Sequence, residues 1–234
     1  MAASILAESQ ELPPDWLDRL RARLLAQPDH ERSHSFYGGP LADVPQRLRE
    51  TLWAELPEPL QAAAVLIPIV QQEAGVSVLL TVRAEHLRHH PGQISFPGGR
   101  VELADADPAA TALRETAEEL GIDAGYIEPL GYLTDHVVRT GYRITPVVAL
   151  LRPGFVITLD QTEVAEAFEL PLAFVLATTN YRVRRRSLRE VELEVWELPY
   201  RDRVIWGATA GILAQLRAAM HAQPMGSATP GSGA

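Results

Sequence analysis

The chain contains no cysteine, which excludes disulfides and thiolate metal sites and fits a reducing cytosol. No apolar stretch approaches the ~20 residues that a bilayer span requires; the longest, Ala62 to Val70, has the length of a strand. Met1-Ala2-Ala3-Ser4-Ile5-Leu6-Ala7-Glu8 has no basic leader and too short an apolar run for a signal peptide. The terminal Gly-Ser-Gly-Ala is not a peroxisomal address. Basic residues are in deficit: 21 Lys+Arg against 30 Asp+Glu leave a net charge of −9, which argues against a role in coating nucleic acid. No internal repeat is visible. The expectation is a cytoplasmic protein that engages neither nucleic acid nor membrane. Its 234 residues, 47% hydrophobic, suffice for one domain with a sizeable core.

What the chain does have is an acidic cluster, Arg114-Glu115-Thr116-Ala117-Glu118-Glu119-Leu120-Gly121-Ile122. Its glutamates fall at i, i+3 and i+4, so on a helix they lie within about 100° of arc. Like charges this close repel; a hard divalent cation, which prefers carboxylate oxygens, removes the repulsion. The opposite face, Ala110, Leu113, Ala117 and Leu120, reads as a core stripe. Taken alone, such a string is as often a solvated helix face with an i,i+4 pair. Its flanks tip the balance. Asp107-Pro108 supplies an N-cap and a first-turn proline, and Gly121 a C-terminal stop. Gly98-Gly99 end a strand-like segment and open a loop, and paired glycines let backbone approach a ligand.

This segment resembles the Nudix box, the loop-helix signature of hydrolases that cleave a diphosphate linked to another group. Gly99, Arg114, Glu115, Glu118, Glu119, Gly121 and Ile122 match that pattern. Three features depart from it. The stretch from Gly99 to Arg114 is one residue longer, Asp105 stands in place of Glu, and Thr116 occupies a usually apolar position. A second segment runs Leu79-Leu80-Thr81-Val82-Arg83-Ala84, then Arg88, Gly92 and Ile94-Ser95-Phe96-Pro97-Gly98-Gly99. It is similar to the signature of coenzyme A pyrophosphatases within that superfamily, and the longer loop with Asp looks like the same subgroup. Glu163-Val164, Phe168, Leu170-Pro171-Leu172 and Ile205-Trp206-Gly207-Ala208-Thr209-Ala210 are similar to its later segments.

The resemblance implies an α/β fold, a Nudix-type α/β/α sandwich with a mixed sheet, and hydrolysis dependent on Mg²⁺ or Mn²⁺. Its implied metal ligands are Glu115, Glu118 and Glu119, with Glu118 binding through water or acting as base. Glu163 becomes a further ligand or general base, Arg114 orients a glutamate, and the Gly98 carbonyl adds a ligand. Coenzyme A, or a thioester of it, carries a diphosphate and a 3′-phosphate. Arg83 and Arg88, flanking the entrance to the Gly98-Gly99 loop, are the candidate phosphate binders, because guanidinium forks match phosphate oxygens. Two alternatives stay open: a Nudix pyrophosphatase of another nucleotide diphosphate such as ADP-ribose or NADH, and a non-hydrolysing nucleotide-binding module. The resemblance also leaves a homodimer open.

Along the chain, residues 1–58 are expected to form an N-terminal helical extension, 59–222 the catalytic domain and 223–234 a disordered tail. Trp16, Leu17, Leu20, Leu24 and Leu25 follow helical spacing after Pro13-Pro14. Ala62 to Ile69 and Val76 to Arg83 predict a strand-turn-strand, Tyr126 to Val137 and Ile144 to Leu151 two more strands, and Leu193 to Leu198 another. Pro108 to Leu120 predicts the acidic helix and Ala208 to Met220 a closing C-terminal helix. Adjacent His89 and His90 read as loop residues. Arg139 and Arg143 border a Thr-Gly turn from which they could reach a substrate. Arg182, Arg184, Arg185 and Arg186 read as a solvated strand edge guarding against pairing. Tyr126, Tyr132 and Trp196 are expected in the core.

Overall fold

The computed structural model describes residues 12–30, 35–36, 39–40, 54, 56–73, 75–188 and 191–221. The expected tail, 223–234, and much of the expected 1–58 extension lie outside the described residues. In chain order, helix α1 (Trp16–Arg21) precedes the short strands β1 (Ser35–Phe36) and β2 (Gly39–Pro40). Then come β3 (Gln61–Gln72), β4 (Gly75–Arg83), β5 (Ile94–Ser95), β6 (Gly98–Arg100) and helix α2 (Pro108–Leu120). Strands β7 (Ile127–Tyr132), β8 (His136–Val138), β9 (Tyr142–Leu151) and β10 (Val164–Pro171) lead into helix α3 (Leu172–Leu176). Strands β11 (Arg182–Leu188), β12 (Val191–Tyr200) and β13 (Arg203–Trp206) and helix α4 (Gly207–His221) close the fold.

The first ten strands form one mixed sheet in the order β10-β4-β3-β9-β8-β1-β2, with β5 on β4, β6 on β3 and β7 on β9. β3 and β4 make the expected hairpin, Gln72 opposite Gly75. β3 then runs parallel to β9 from Gln61↔Tyr142 to Val70↔Leu151. A parallel pair needs a long crossover, and that connection contains α2. Alternation along the strands fills two cores, because helices cover both faces. On one face Ile67, Ile69, Val78, Leu80 and Leu170 meet Leu213 and Leu216 of α4, Leu172 and Val175 of α3, and Trp16 and Leu20 of α1. On the other, Ala64, Leu66, Leu79, Val147, Ala149 and Leu151 meet Ala112 and Leu120 of α2. Each buried Leu or Ile contributes roughly 1.5–3 kcal/mol. Trp16 and Leu20 therefore tie the described start of the chain into the same core.

Several expectations need correction. The apolar stripe of α2 is turned by one position: Thr116 is fully buried and Ala117 exposed. A hydroxyl is tolerated there because Thr116 Oγ1 donates to the Ala112 carbonyl at 2.7 Å, so no polar atom is stranded. Tyr126 is 38% exposed rather than in the core; it closes a 3₁₀ turn, Ala124–Tyr126, stapled by the Asp123 carboxylate. Tyr132 and Trp196 do pack against the cores. The segment 126–137 is broken into β7 and β8, with Asp135 buried in the gap. The arginine run lies on β11, an edge of a separate three-stranded sheet, as expected.

Candidate active site

Helix α2 carries the acids, and both its ends are specified as its sequence suggests. The Asp107 carboxylate accepts the Ala110 N–H at 2.7 Å, and Gly121 takes the left-handed φ of 66° that suits glycine at a helix end. One face of α2 packs on β3, where the strand is also paired with β6. Gly98 and Gly99 are required here for different reasons. Gly98 has φ 155° and runs against the β3 backbone, where a Cβ would overlap the Ala64 carbonyl. Gly99 has an ordinary φ, but a Cβ there would overlap the Glu115 carboxyl. Rather than opening a loop, the glycine pair lies on strand β6, and the close approach at Gly99 is between strand backbone and an acidic side chain.

Arg114 is the hub beneath the acids. Its Nε and Nη2 donate to the two oxygens of Asp105 at 3.1 and 3.0 Å. Nη1 donates to Glu115 at 2.9 Å and Glu118 at 3.0 Å, and Nη2 also to the Arg100 carbonyl at 3.0 Å. Asp105 in turn accepts from the Glu102 N–H at 2.8 Å and Thr111 Oγ1 at 2.9 Å. The Arg114 guanidinium holds the Asp105 carboxyl well below the usual range. The loop acid is therefore a clamp that fixes Arg114, not a group that faces a ligand.

The three glutamates sit in unlike surroundings. The side chain of Glu118 is 59% exposed. Burial pushes the Glu115 carboxyl up, partly offset by Arg114. Glu119 is only 4% exposed, and its Oε2 is buried without a hydrogen-bond partner. Burial first, then the charges of Glu115 and Glu163, raise its pKa to about 8; Arg83 and the Gly98 N–H pull the other way. Glu119 is thus turned into the protein while Glu118 faces solvent.

Glu163 is exposed and reaches the cluster through a tightly built loop. The Thr158 N–H donates to the Leu120 carbonyl at 2.8 Å and the Asp160 N–H to the Glu119 carbonyl at 3.0 Å, which caps the last turn of α2. The Asp160 carboxylate accepts the Thr162 N–H at 2.9 Å and its hydroxyl at 2.7 Å. The Glu163 carbonyl accepts the Ala84 N–H at 2.9 Å, beside Arg83. His86 Nε2 lies 3.0 Å from the Thr162 carbonyl and joins the Arg83–Arg88 loop to the Glu163 loop. The sequence reading missed these positioning roles of Thr158, Asp160 and His86; Asp160-Gln161-Thr162 is a local side-chain turn that could have signalled one of them.

Arg83, Gly98, Gly99, Glu115, Glu119 and Glu163 are thus brought together. Arg83 Nε is buried there without a hydrogen-bond partner. Arg88 is exposed on the neighbouring loop. Among the described residues no three acidic or histidine side chains converge as they stand to wrap a cation, since Arg114 engages Glu115 and Glu118. The donor set nevertheless fits Mg²⁺ or Mn²⁺: all oxygen, with an orphaned buried carboxylate oxygen on Glu119 at its centre.

A sequence model of the NUDIX domain matches residues 59–196. A protein named as an uncharacterized Nudix hydrolase, NudL, from Enterobacter sp. (strain 638) is 40% identical over 162 residues, 69% of this chain and 84% of that protein. Its namesake from Escherichia coli (strain K12 / DH10B) is 39% identical over 180 residues, 77% of this chain and 90% of that protein. Among solved structures, the NUDIX domain of Shewanella oneidensis NrtR in complex with ADP ribose aligns with a TM-score of 0.41 at 21% identity, covering 58% of this chain and 83% of that one. By the extent of the domain match and of the two NudL relatives, the chain belongs to the NUDIX domain family.

Proposed function

We propose that this protein is a divalent-metal-dependent pyrophosphohydrolase of coenzyme A or its thioesters, releasing 3′,5′-ADP and 4′-phosphopantetheine or its acyl form. The observation that carries the hydrolytic reading is the buried Glu119 carboxylate, whose Oε2 has no hydrogen-bond partner and which shares one helix with Glu115 and Glu118. A buried carboxylate oxygen left unpaired beside other acids is the kind of donor that a cation satisfies. Glu115, Glu119 and Glu118 would hold Mg²⁺ or Mn²⁺, with the Gly98 carbonyl beside them. Such an ion supplies charge neutralisation of the diphosphate and a lowered pKa for the attacking water.

The chain's own residues do the rest. Arg114 keeps Glu115 and Glu118 from repelling one another and sets their orientation from below. Arg83, next to Glu119, binds a diphosphate oxygen. Glu163 is exposed, held on a capped loop, and close enough to raise Glu119; it serves as general base or additional ligand. The coenzyme A reading is supported by the likeness of the Leu79–Gly99 segment to the signature of coenzyme A pyrophosphatases. That segment forms the end of β4, the Arg83–Arg88 loop, β5 and the start of β6, which together border the acids.

The test is separation of products after incubating purified protein with coenzyme A, ADP-ribose and NADH in parallel, with Mg²⁺ or Mn²⁺. The proposal expects 3′,5′-ADP and phosphopantetheine from coenzyme A, and none after EDTA. Cleavage of ADP-ribose or NADH alone would discard the coenzyme A assignment; no cleavage of any would favour a nucleotide-binding module.

A further inference from the structure

A diphosphate bound by Arg83 beside the acidic cluster leaves the 3′-phosphate of coenzyme A to be read elsewhere. Resting on the coenzyme A reading, we propose that His30 and Arg143, oriented by the buried Asp135, form a second subsite for a phosphate monoester.

Asp135 lies in the gap between β7 and β8, and its side chain is wholly buried. Thr145 Oγ1 donates to its Oδ1 at 2.8 Å. Its Oδ2 is shared by His30 Nδ1 at 2.8 Å and Arg143 Nε at 3.4 Å. The two basic groups remain partly open to solvent, 44% for the His30 side chain and 32% for that of Arg143. With Nδ1 and Nε turned inward to the carboxylate, His30 Nε2 and the Arg143 Nη groups are the edges left to a ligand. A carboxylate needing only neutralisation is satisfied by one guanidinium. Placing an imidazole on the same oxygen makes a fixed pair of donors, suited to a dianionic phosphate.

The register puts this pair on the active-site face. Gly99, which packs against Glu115, is opposite Ala64 of β3, and Ala64 is opposite Thr145 of β9. Arg143 is opposite Ala62 on the same face, since residues two apart share a side. Two strand spacings, roughly 10 Å, separate the Gly99 and Thr145 positions. The floor between them is alanine, Ala62 and Ala64. Arg88, the other candidate, is exposed on its loop, whereas Arg143 is held before ligand arrives, which lowers the entropic cost of binding. His30 comes from the stretch following α1, so that stretch contributes to specificity as well as to the core.

Two readouts test this. In calorimetric titrations with Mg²⁺ present, wild type should bind 3′,5′-ADP at least tenfold more tightly than 5′-AMP, and Arg143→Ala and His30→Ala should each erase most of that preference. The ratio of kcat/KM for coenzyme A over dephospho-coenzyme A should fall at least tenfold in Arg143→Ala. If Arg143→Ala does not fold, Arg143→Lys and His30→Gln are read by the same ratios. A wild type without preference for 3′,5′-ADP, or variants that keep it, overturns the subsite. A preference lost in the variants, in a protein that cleaves no coenzyme A, upholds the subsite while removing the reading on which it was built.

Discussion

Replacing Glu119 by glutamine should stabilise the metal-free protein at alkaline pH while abolishing its activity. The displacement of the Glu119 carboxyl from 4.5 to about 8, at ~1.4 kcal/mol per tenfold change in proton affinity, corresponds to about 5 kcal/mol. Burial is the largest cause, and the repulsive part is shared with Glu115 and Glu163, so roughly half, on the order of 2–3 kcal/mol, is the working figure for one substitution. The sign follows from proton uptake. Between 4.5 and about 8 the folded protein holds a proton that the unfolded chain has released, so stability falls as pH rises through this window. Above it the folded state carries the full cost of a buried anion. Glutamine never carries it. In EDTA at pH 9, Glu119→Gln should melt about 4–10 °C higher than wild type, and at pH 5 the two should nearly coincide. Adding Mg²⁺ at pH 9 should raise the melting temperature of wild type and leave the variant unmoved. Differential scanning calorimetry at both pH values decides it. A variant less stable than wild type at pH 9, or offset equally at both, refutes the reasoning.

Three further outcomes are expected. Asp105→Asn leaves Arg114 short of its principal partner and should cost about 2–3 kcal/mol, read as a fall of roughly 4–10 °C in melting temperature. Asp105 is held below its ordinary 3.8; its contribution is therefore complete above that value and is lost as pH falls through the lower folded one, so the variant should show a shallower acid-denaturation slope. Gly99→Ala should cut kcat at least tenfold by displacing the Glu115 carboxyl, with the melting temperature within about 3 °C of wild type, because the clash is with the end of a movable side chain. Thr116→Val should change stability by no more than about 1 kcal/mol, measured by urea titration, since the hydroxyl it removes bonds only to the Ala112 carbonyl of its own helix.

The acidic helix was legible because everything that defines it is local. Asp107, Pro108 and Gly121 act within a turn of the chain, and the spacing of Glu115, Glu118 and Glu119 needs no tertiary information. The β3–β4 hairpin was legible for the same reason. The burial of Glu119 was not, because it depends on Arg83, Gly98 and the Glu163 loop, which reach it from three other parts of the chain. Nor was the exchange of Thr116 for Ala117 on the buried face. Residue type favours alanine, and only the bond to the Ala112 carbonyl makes threonine acceptable. Asp105 stood out as a departure from the family pattern, but its pairing with Arg114 depends on how the loop closes. Asp135 was invisible inside what reads as one strand, because its partners His30, Arg143 and Thr145 lie 105, 8 and 10 residues away.

In the proposed enzyme, the Glu115–Glu119 cluster holds the cation on which hydrolysis depends. Coenzyme A turnover measured across a Mg²⁺ titration, in wild type and in the Glu115→Gln/Glu119→Gln double variant, tests it most directly. Wild type should be inactive in EDTA and recover with added metal, while the double variant should stay at least a thousandfold lower at every concentration and keep its fold by circular dichroism. Undiminished turnover in EDTA, or a double variant that approaches wild type, would contradict the account.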